Sequence, residues 1–214
     1  MNTSRYADVQ ARAEQRRAQI VNAATTCFLV HGFHGTSVAE IANKAGISSG
    51  NLYHYFVDKE AIITAIIEED LAQLQAFTAQ WQHHHYNLKM LRSRLIEGMR
   101  LRLASPTIYL RVEILAEAAR NPKVAKVVQQ VDDICHQSIV DAVTHAWKAE
   151  KNAQPLPCFD TITELIVTFS EGLVMRSICD PKHTTEQLIS QFELAIGYLL
   201  DQKLTGASNT ADRC

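Results

Sequence analysis

Glycine and proline are scarce in this sequence, 8 and 5 residues among 214. Folds built from many tight turns need more of both, so the shortage points to long helices with brief connections. No apolar run reaches the roughly 18 residues that a membrane-spanning helix requires. The N-terminus has no apolar stretch before Ile20, so a signal peptide is not expected. The five cysteines, Cys27, Cys135, Cys158, Cys179 and Cys214, are odd in number and form no CxxC pair. That pattern indicates neither a zinc cage nor a disulfide framework. Scattered thiols fit a reducing, cytoplasmic setting, with a redox switch as the lesser alternative.

Excess positive charge is also missing. The net charge is −2, with residues 1–60 at +1 and the remainder at −3. Charge alone therefore does not suggest nucleic acid. GxSxG, P-loop, HExxH and GxGxxG signatures are absent. Glu113 and Glu117 stand four apart on one expected helix, a spacing open to an acid/base pair; ion pairing with arginine or a polar ligand contact fits the context better. The run His83-His84-His85 points in three directions on a helix, and His31 and His34 flank an expected helix stop, so none of these reads as a metal site. An enzyme, a cofactor and a metal are not expected.

What is present is a patterned stretch from Thr36 to Lys59. Ser37 and Glu40 have capping-box spacing. Val38, Ile41, Ala42 and Ala45 share one helical face. Gly46 follows, where a helix commonly ends in a left-handed residue. Ile47 fits the angle between two helices, and Ser48 or Ser49 can cap the second. Leu52 and Phe56 turn inward, which leaves Ser49, Asn51, Tyr53, His54 and Tyr55 nearer the outside. Asp58 caps a third, longer helix. Two short helices with a glycine-bearing turn and an outward polar and aromatic face suit a reader of the DNA major groove.

Residues 14–74 resemble the DNA-binding domain of the tetracycline-repressor (TetR) family. The resemblance rests on Ile20…Ala23-Ala24…Phe28, Gly32-Phe33, Thr36-Ser37-Val38, Ile41-Ala42, Ala45-Gly46-Ile47, Leu52-Tyr53-Tyr55-Phe56 and Lys59-Glu60. It implies an all-α protein of about nine helices. An N-terminal three-helix domain at 14–74, with its helix-turn-helix at about 37–56, precedes a ligand-binding and dimerisation domain at 75–204. Residues 1–13 and 205–214 are polar and expected to be flexible. The implied function is a ligand-responsive transcriptional regulator, a repressor that binds a pseudo-palindromic operator in double-stranded DNA as a homodimer and is released by a small molecule. The alternative is a helical small-molecule-binding or enzymatic protein that keeps the motif without operator binding.

The rest of the chain reads as helices throughout. The first spans 14–31, with an apolar stripe from Ile20 to Phe28. Others follow at 58–81, 87–104, 107–120, 122–148, 160–178 and 184–204, with a proline-bearing loop at 149–159. The basic run Arg92, Arg94, Arg100 and Arg102 reads as a solvated or salt-bridged face. The last two helices are apolar on more than one face, so each is expected to be covered on two sides. The resemblance implies a dimer through these two helices, with Phe169, Leu173, Phe192, Ile196 and Leu199 as the interface.

The resemblance also implies phosphate contacts from Lys59 and the Tyr53 hydroxyl, with Ser37 offering an amide and a hydroxyl at a helix start. Ser48, Ser49, Gly50 and Asn51 open the recognition helix and are best placed for base edges, and Asn51 suits adenine. His54 is an even choice between phosphate and plain surface. Where some family members use an arginine for base reading, this chain has Ala39, which implies fewer direct base contacts. The effector site is expected in the body, lined by Phe77, Trp81, Met99, Tyr109, Glu113, Glu117, His136 and Phe169. Aromatic walls with a few polar groups suit a mid-sized, partly apolar molecule.

Overall fold

A computed structural model describes residues 3–79, 87–150 and 159–201. Among the described residues there are helices and no strand. In order they are α1 Thr3–Gly35, α2 Val38–Lys44, α3 Ser49–Tyr53, α4 Lys59–Ala79, α5 Leu88–Ala104, α6 Ile108–Ala118, α7 Pro122–Glu150, α8 Phe159–Cys179 and α9 Thr185–Asp201. No helix among these residues is long and apolar enough to cross a membrane. The histidine run 83–85 lies outside the described residues.

The chain divides into two compact units. The first takes Met1–Gln73 together with Tyr109–Val131, and the second takes Leu74–Ile108 and Asp132–Cys214. The boundary near 74 is where the motif ends. The sequence pattern did not show that α6 and the start of α7 would join the first unit. The reason lies in what they bury. Leu110, Ile114 and Val124 are in one cluster with Ile20, Phe28, Ile41, Leu52, Phe56, Ile62 and Ile66. A headpiece of some 60 residues buries too little apolar surface to be comfortable alone, and these residues supply the missing cover.

Within the first unit, α1 starts at Thr3 rather than near residue 14. Residues 6–15 are helical although their side chains are exposed. Ala, Gln, Arg and Glu dominate this segment, and all propagate a helix well. Extension from the packed stripe needs no new nucleus. Near its other end, Gly32 leaves helical geometry at φ 70, ψ 168, so α1 is two helical pieces across a break. Thr36, 2% exposed, fastens the end of this turn by donating from Oγ1 to Gly32 O at 2.8 Å.

The second unit packs α5 against α9 and α8. Leu91, Leu95 and Met99 from α5 meet Val143 and Trp147 from α7, Ile166 and Leu173 from α8, and Leu188, Phe192 and Ile196 from α9 in one buried cluster. The basic run on α5 ties this unit together. Arg100 pairs with Glu186, Arg102 with Glu171, and Arg92 with Glu193 at 3.6 Å. Arg92 lies across Gly197, where an added Cβ would stand 2.9 Å from the guanidinium. Asn87 caps α5 by accepting from Met90 N–H at 2.9 Å, and Pro122 opens α7 at the position where a missing N–H costs nothing.

Gly46 tests the turn chemistry. It ends α2 at φ 65, with no atom within 4 Å of a built Cβ. Gly46→Ala therefore meets only backbone strain and should cost about 1–2 kcal/mol. Urea unfolding would measure it, and an unchanged midpoint would show that the left-handed turn can relax.

Candidate nucleic-acid interface

The helix-turn-helix is built by local chemistry first. Ser37 N–H donates to Glu40 Oε2 at 2.7 Å and Glu40 N–H donates to Ser37 Oγ at 3.2 Å, so the capping box is closed. At the other end, Gly46 N–H reaches Asn43 O and Ile47 N–H reaches Ala42 O, each at 3.0 Å. That is the double closure of a helix ending in a left-handed glycine. Ser48 then caps α3 by accepting from Asn51 N–H at 3.2 Å. Asp58 caps α4 by accepting from Ala61 N–H at 2.7 Å. Ile41, Leu52 and Phe56 are almost wholly buried and orient the pair.

With Leu52 inward, α3 turns Gly50, Asn51, Tyr53 and His54 to solvent, with Ser48 exposed beside them and Ser49 half-buried. Tyr53 is 54% exposed. A Cβ on Gly50 would meet nothing within 4 Å, so the chain's own packing does not require glycine there. Polar groups, a stacking-capable ring and a bare stretch of backbone thus share one short surface.

Two residues expected on phosphate are engaged within the chain. Ser37 donates from both N–H and Oγ–H to Glu40 Oε2. A phosphate at Ser37 must therefore contend with a carboxylate. Lys59 Nζ donates to Phe33 O and to Thr36 O at 2.9 Å, and it stands 4.4 Å above the Phe33 ring. An ammonium has three donors, so one remains beyond the two carbonyls.

Three residues hold the reader in place in ways that were not read from the sequence. Arg17 donates from Nη1 to Tyr55 O at 3.2 Å and lies 4.2 Å over the Phe56 ring. Gln19 donates from Nε2 to Ala45 O at 2.8 Å, at the end of α2. Thr36 closes the connector as described. Arg17 had a readable signal: it precedes Ile20 and Ala24 by three and seven residues, so it occupies a core-facing place on the α1 stripe. Gln19 had none.

The expected effector residues divide between the two units. Glu113 and Glu117 belong to the first unit. Glu113 Oε2 accepts Phe33 N–H at 3.0 Å. Glu117, 4% exposed, has Oε2 at 2.9 Å from His34 Nε2 and accepts from Asn121 Nδ2 through Oε1 at 3.1 Å. The His34 contact is close but off the donor axis, since Oε2 takes no aligned hydrogen bond. Both carboxylates are engaged by backbone or side chains of their own unit. Tyr109, in the same unit, is 58% exposed. Met99 is core in the second unit. His136 there lies 3.7 Å from Glu164. Trp81 and the Phe77 side chain lie outside the described residues.

The expected dimer residues divide as well. Leu173, Phe192 and Ile196 are 3%, 2% and 0% exposed and belong to the subunit's own buried cluster. Leu199 is half-buried. Phe169 stays 37% exposed and stacks on Phe192 with centroids 6.4 Å apart. It borders an open apolar groove of about 550 Å³ with Gln191, Leu194, Ala195 and Tyr198. The α9 members repeat at i, i+3, i+4 and i+7, a second stripe beside the buried one.

Comparison with known proteins agrees with this geometry. Residues 20–66 match the profile described as bacterial regulatory proteins, tetR family. The chain is 33% identical over 174 residues to the HTH-type transcriptional regulator UidR of Escherichia coli, covering 78% of this chain and 84% of that one. It is 27% identical to the HTH-type transcriptional repressor AcnR of Corynebacterium glutamicum over 74% of this chain and 77% of that one. Among solved structures, Salmonella enterica GusR superposes with a TM-score of 0.71 at 25% identity, covering 88% and 96% of the two chains. The regulator FadR of Bacillus subtilis, in complex with stearoyl-CoA, shares the fold with a TM-score of 0.69 at 18% identity, covering 86% and 97%.

The capping box carries a pH signature. Hydrogen bonds from the Ser37 backbone, then from its side chain, hold the Glu40 carboxyl below its ordinary range. A lowered carboxyl stabilises the fold above the ordinary carboxylate pKa, about 4.3, and loses that contribution as pH falls through the lowered value. Glu40→Gln should therefore be less stable than the parent near neutrality, with the gap closing on acidification. Urea midpoints for both proteins across that range would show it, and a constant gap would deny the charge any part.

Proposed function

The chain belongs to the TetR family of DNA-binding helix-turn-helix transcriptional regulators, and from that premise we propose that it is a homodimeric repressor of a pseudo-palindromic operator, released by a small organic molecule. The observation that carries the reading is the exposed face of α3, held outward by a fully buried Leu52. Asn51 presents an amide suited to adenine N6 and N7 in the major groove. The Tyr53 hydroxyl and the remaining donor of Lys59 reach phosphate, and His54 flanks them. Gly50 lets the backbone of α3 approach the DNA, which explains a glycine that the protein's own packing leaves free. Ser48 and Ser49 contribute at the start of the same helix. Ser37 is the weakest of the expected contacts because Glu40 already takes both its donors.

The groove beside Phe169 is the support for the homodimer. An exposed apolar stripe of Leu194 at 75% and Tyr198 at 67%, with Leu165 at 48% on the neighbouring helix, is what a second copy of α8 and α9 covers. Gly172 adds no bulk to α8, since a Cβ there would meet nothing within 4 Å. The small-molecule arm of the reading is supported by the family and by the fold shared with a regulator solved with stearoyl-CoA.

These assignments separate by experiment. With a duplex selected from a random pool by the full-length protein, Asn51→Ala should relax preference at one base pair, at about 1–3 kcal/mol. Tyr53→Phe should weaken all sequences alike. Gly50→Ala should bind the selected duplex more weakly while the protein becomes more stable, by up to about 1 kcal/mol; equal binding would remove the close approach.

For the dimer, Leu194→Asp and Tyr198→Asp should give monomers with full helix content, because an unpaired charge would otherwise be buried. Ile196→Asp should unfold the second unit instead. Sedimentation showing stable dimers of the two exposed variants would place the interface elsewhere.

A further inference from the structure

Residues 32–36, between the break in α1 and the capping box of α2, are held by side chains more than by their own ladder. Just past the break at Gly32, Glu113 Oε2, eighty residues later, accepts the Phe33 N–H at 3.0 Å. The carboxylate sits directly over the glycine, since a Cβ on Gly32 would lie 3.2 Å from the same oxygen. The glycine is thus needed twice: for φ 70 and for the approach of the carboxylate. On the other side of the same residue, Phe33 O accepts from Lys59 Nζ, which also holds Thr36 O. Thr36 closes back on Gly32 O. One residue further, Ser37 starts the helix that leads into the recognition helix. Glu117, one turn after Glu113, has Oε2 2.9 Å from His34 Nε2 in the same segment.

We propose that Glu113 is a positioning residue for DNA reading. Its carboxylate fixes the Phe33 peptide, and through Phe33 and Thr36 it fixes both the Lys59 ammonium and the start of α2. A carboxylate repels phosphate, so Glu113 cannot add to affinity by touching DNA. Its contribution is to the geometry in which α2, α3 and Lys59 meet the duplex together. A hydrogen bond from backbone to a carboxylate in partly buried surroundings is among the stronger ones, and removal of the acceptor leaves the amide unpaired. The segment would then sample other arrangements, and a five-residue recognition helix transmits such freedom to its contacts. The proposal rests on the operator-binding reading above.

The test uses the full-length protein, the duplex selected from a random pool by the parent, and an unrelated duplex of equal length. Glu113→Gln keeps an acceptor oxygen in place without the charge. Glu113→Asp keeps the charge and withdraws the oxygen by one carbon–carbon bond, about 1.5 Å. The expected result is that the Gln variant binds the selected duplex within about threefold of the parent. The Asp variant should bind it at least about tenfold more weakly. Binding of the unrelated duplex should stay near the parent's in Gln and fall in Asp by less than binding of the selected duplex, since only the Lys59 phosphate contact is shared. Hydrogen exchange at the Phe33 amide should speed up only in Asp, with the folded fraction unchanged. A structural role alone would lower both duplexes together with the folded fraction, and an electrostatic role would spare Asp and move Gln. Either pattern, or two variants alike, overturns the proposal. A parent that selects no duplex overturns the operator-binding reading instead, so the two failures are distinguishable.

Discussion

A recognition helix of five residues cannot hold itself together. Isolated helices need about 12–15 residues before they are even marginal in water, and α2, at seven residues, is hardly better. Everything around them answers that constraint. Ile41, Leu52 and Phe56 bury their side chains almost completely, which sets which way each helix faces. Caps at Ser37, Ser48 and Asp58 satisfy amides that such short helices would leave open. Arg17 and Gln19 then fasten the far ends, at Tyr55 and Ala45, to α1. The polar surface of α3 faces solvent because its apolar side, through Leu52, is held in the core.

The same constraint explains the division of the chain. The first unit completes its core with residues 109–131 rather than closing at residue 73. Those residues bring apolar cover through Leu110, Ile114 and Val124, and they bring two carboxylates to the connector before α2. The chemistry of the DNA reader is therefore not confined to the motif that identifies it. One of those carboxylates, Glu113 on α6, accepts the Phe33 N–H at 3.0 Å.

In the second unit, α8 and α9 carry more apolar surface than one face can hide. Phe192 and Ile196 go to the interior, while Leu194 and Tyr198, two residues on from each, stay outside. An apolar stripe that its own subunit leaves uncovered is costly in water, and the proposed homodimer would cover it with a second copy. The arginines of α5 contribute elsewhere. Arg102, Arg100 and Arg92 pair with Glu171, Glu186 and Glu193 on α8 and α9, and Arg94 pairs with Glu97 on α5 itself.

The sequence by itself determined the local events. Capping-box spacing at Ser37 and Glu40, the glycine stop at Gly46, the Asp58 cap and the 3.6-residue stripes follow from interactions within a few residues, so they are legible in the chain as written. Most helix boundaries and the outward face of α3 came from these alone. The start of α1 did not, because exposed helix formers give no apolar stripe to read. Tertiary structure decided the rest. Periodicity says that a helix has an apolar face and names no partner for it, so Ile196 and Leu194 look alike until α5 is packed against one of them. Glu113 and Glu117 look like pocket residues until Phe33 N–H and His34 arrive beside them from eighty residues away. A hydrogen bond across that distance leaves no repeat in the sequence, because its geometry exists only once the helices between have been folded.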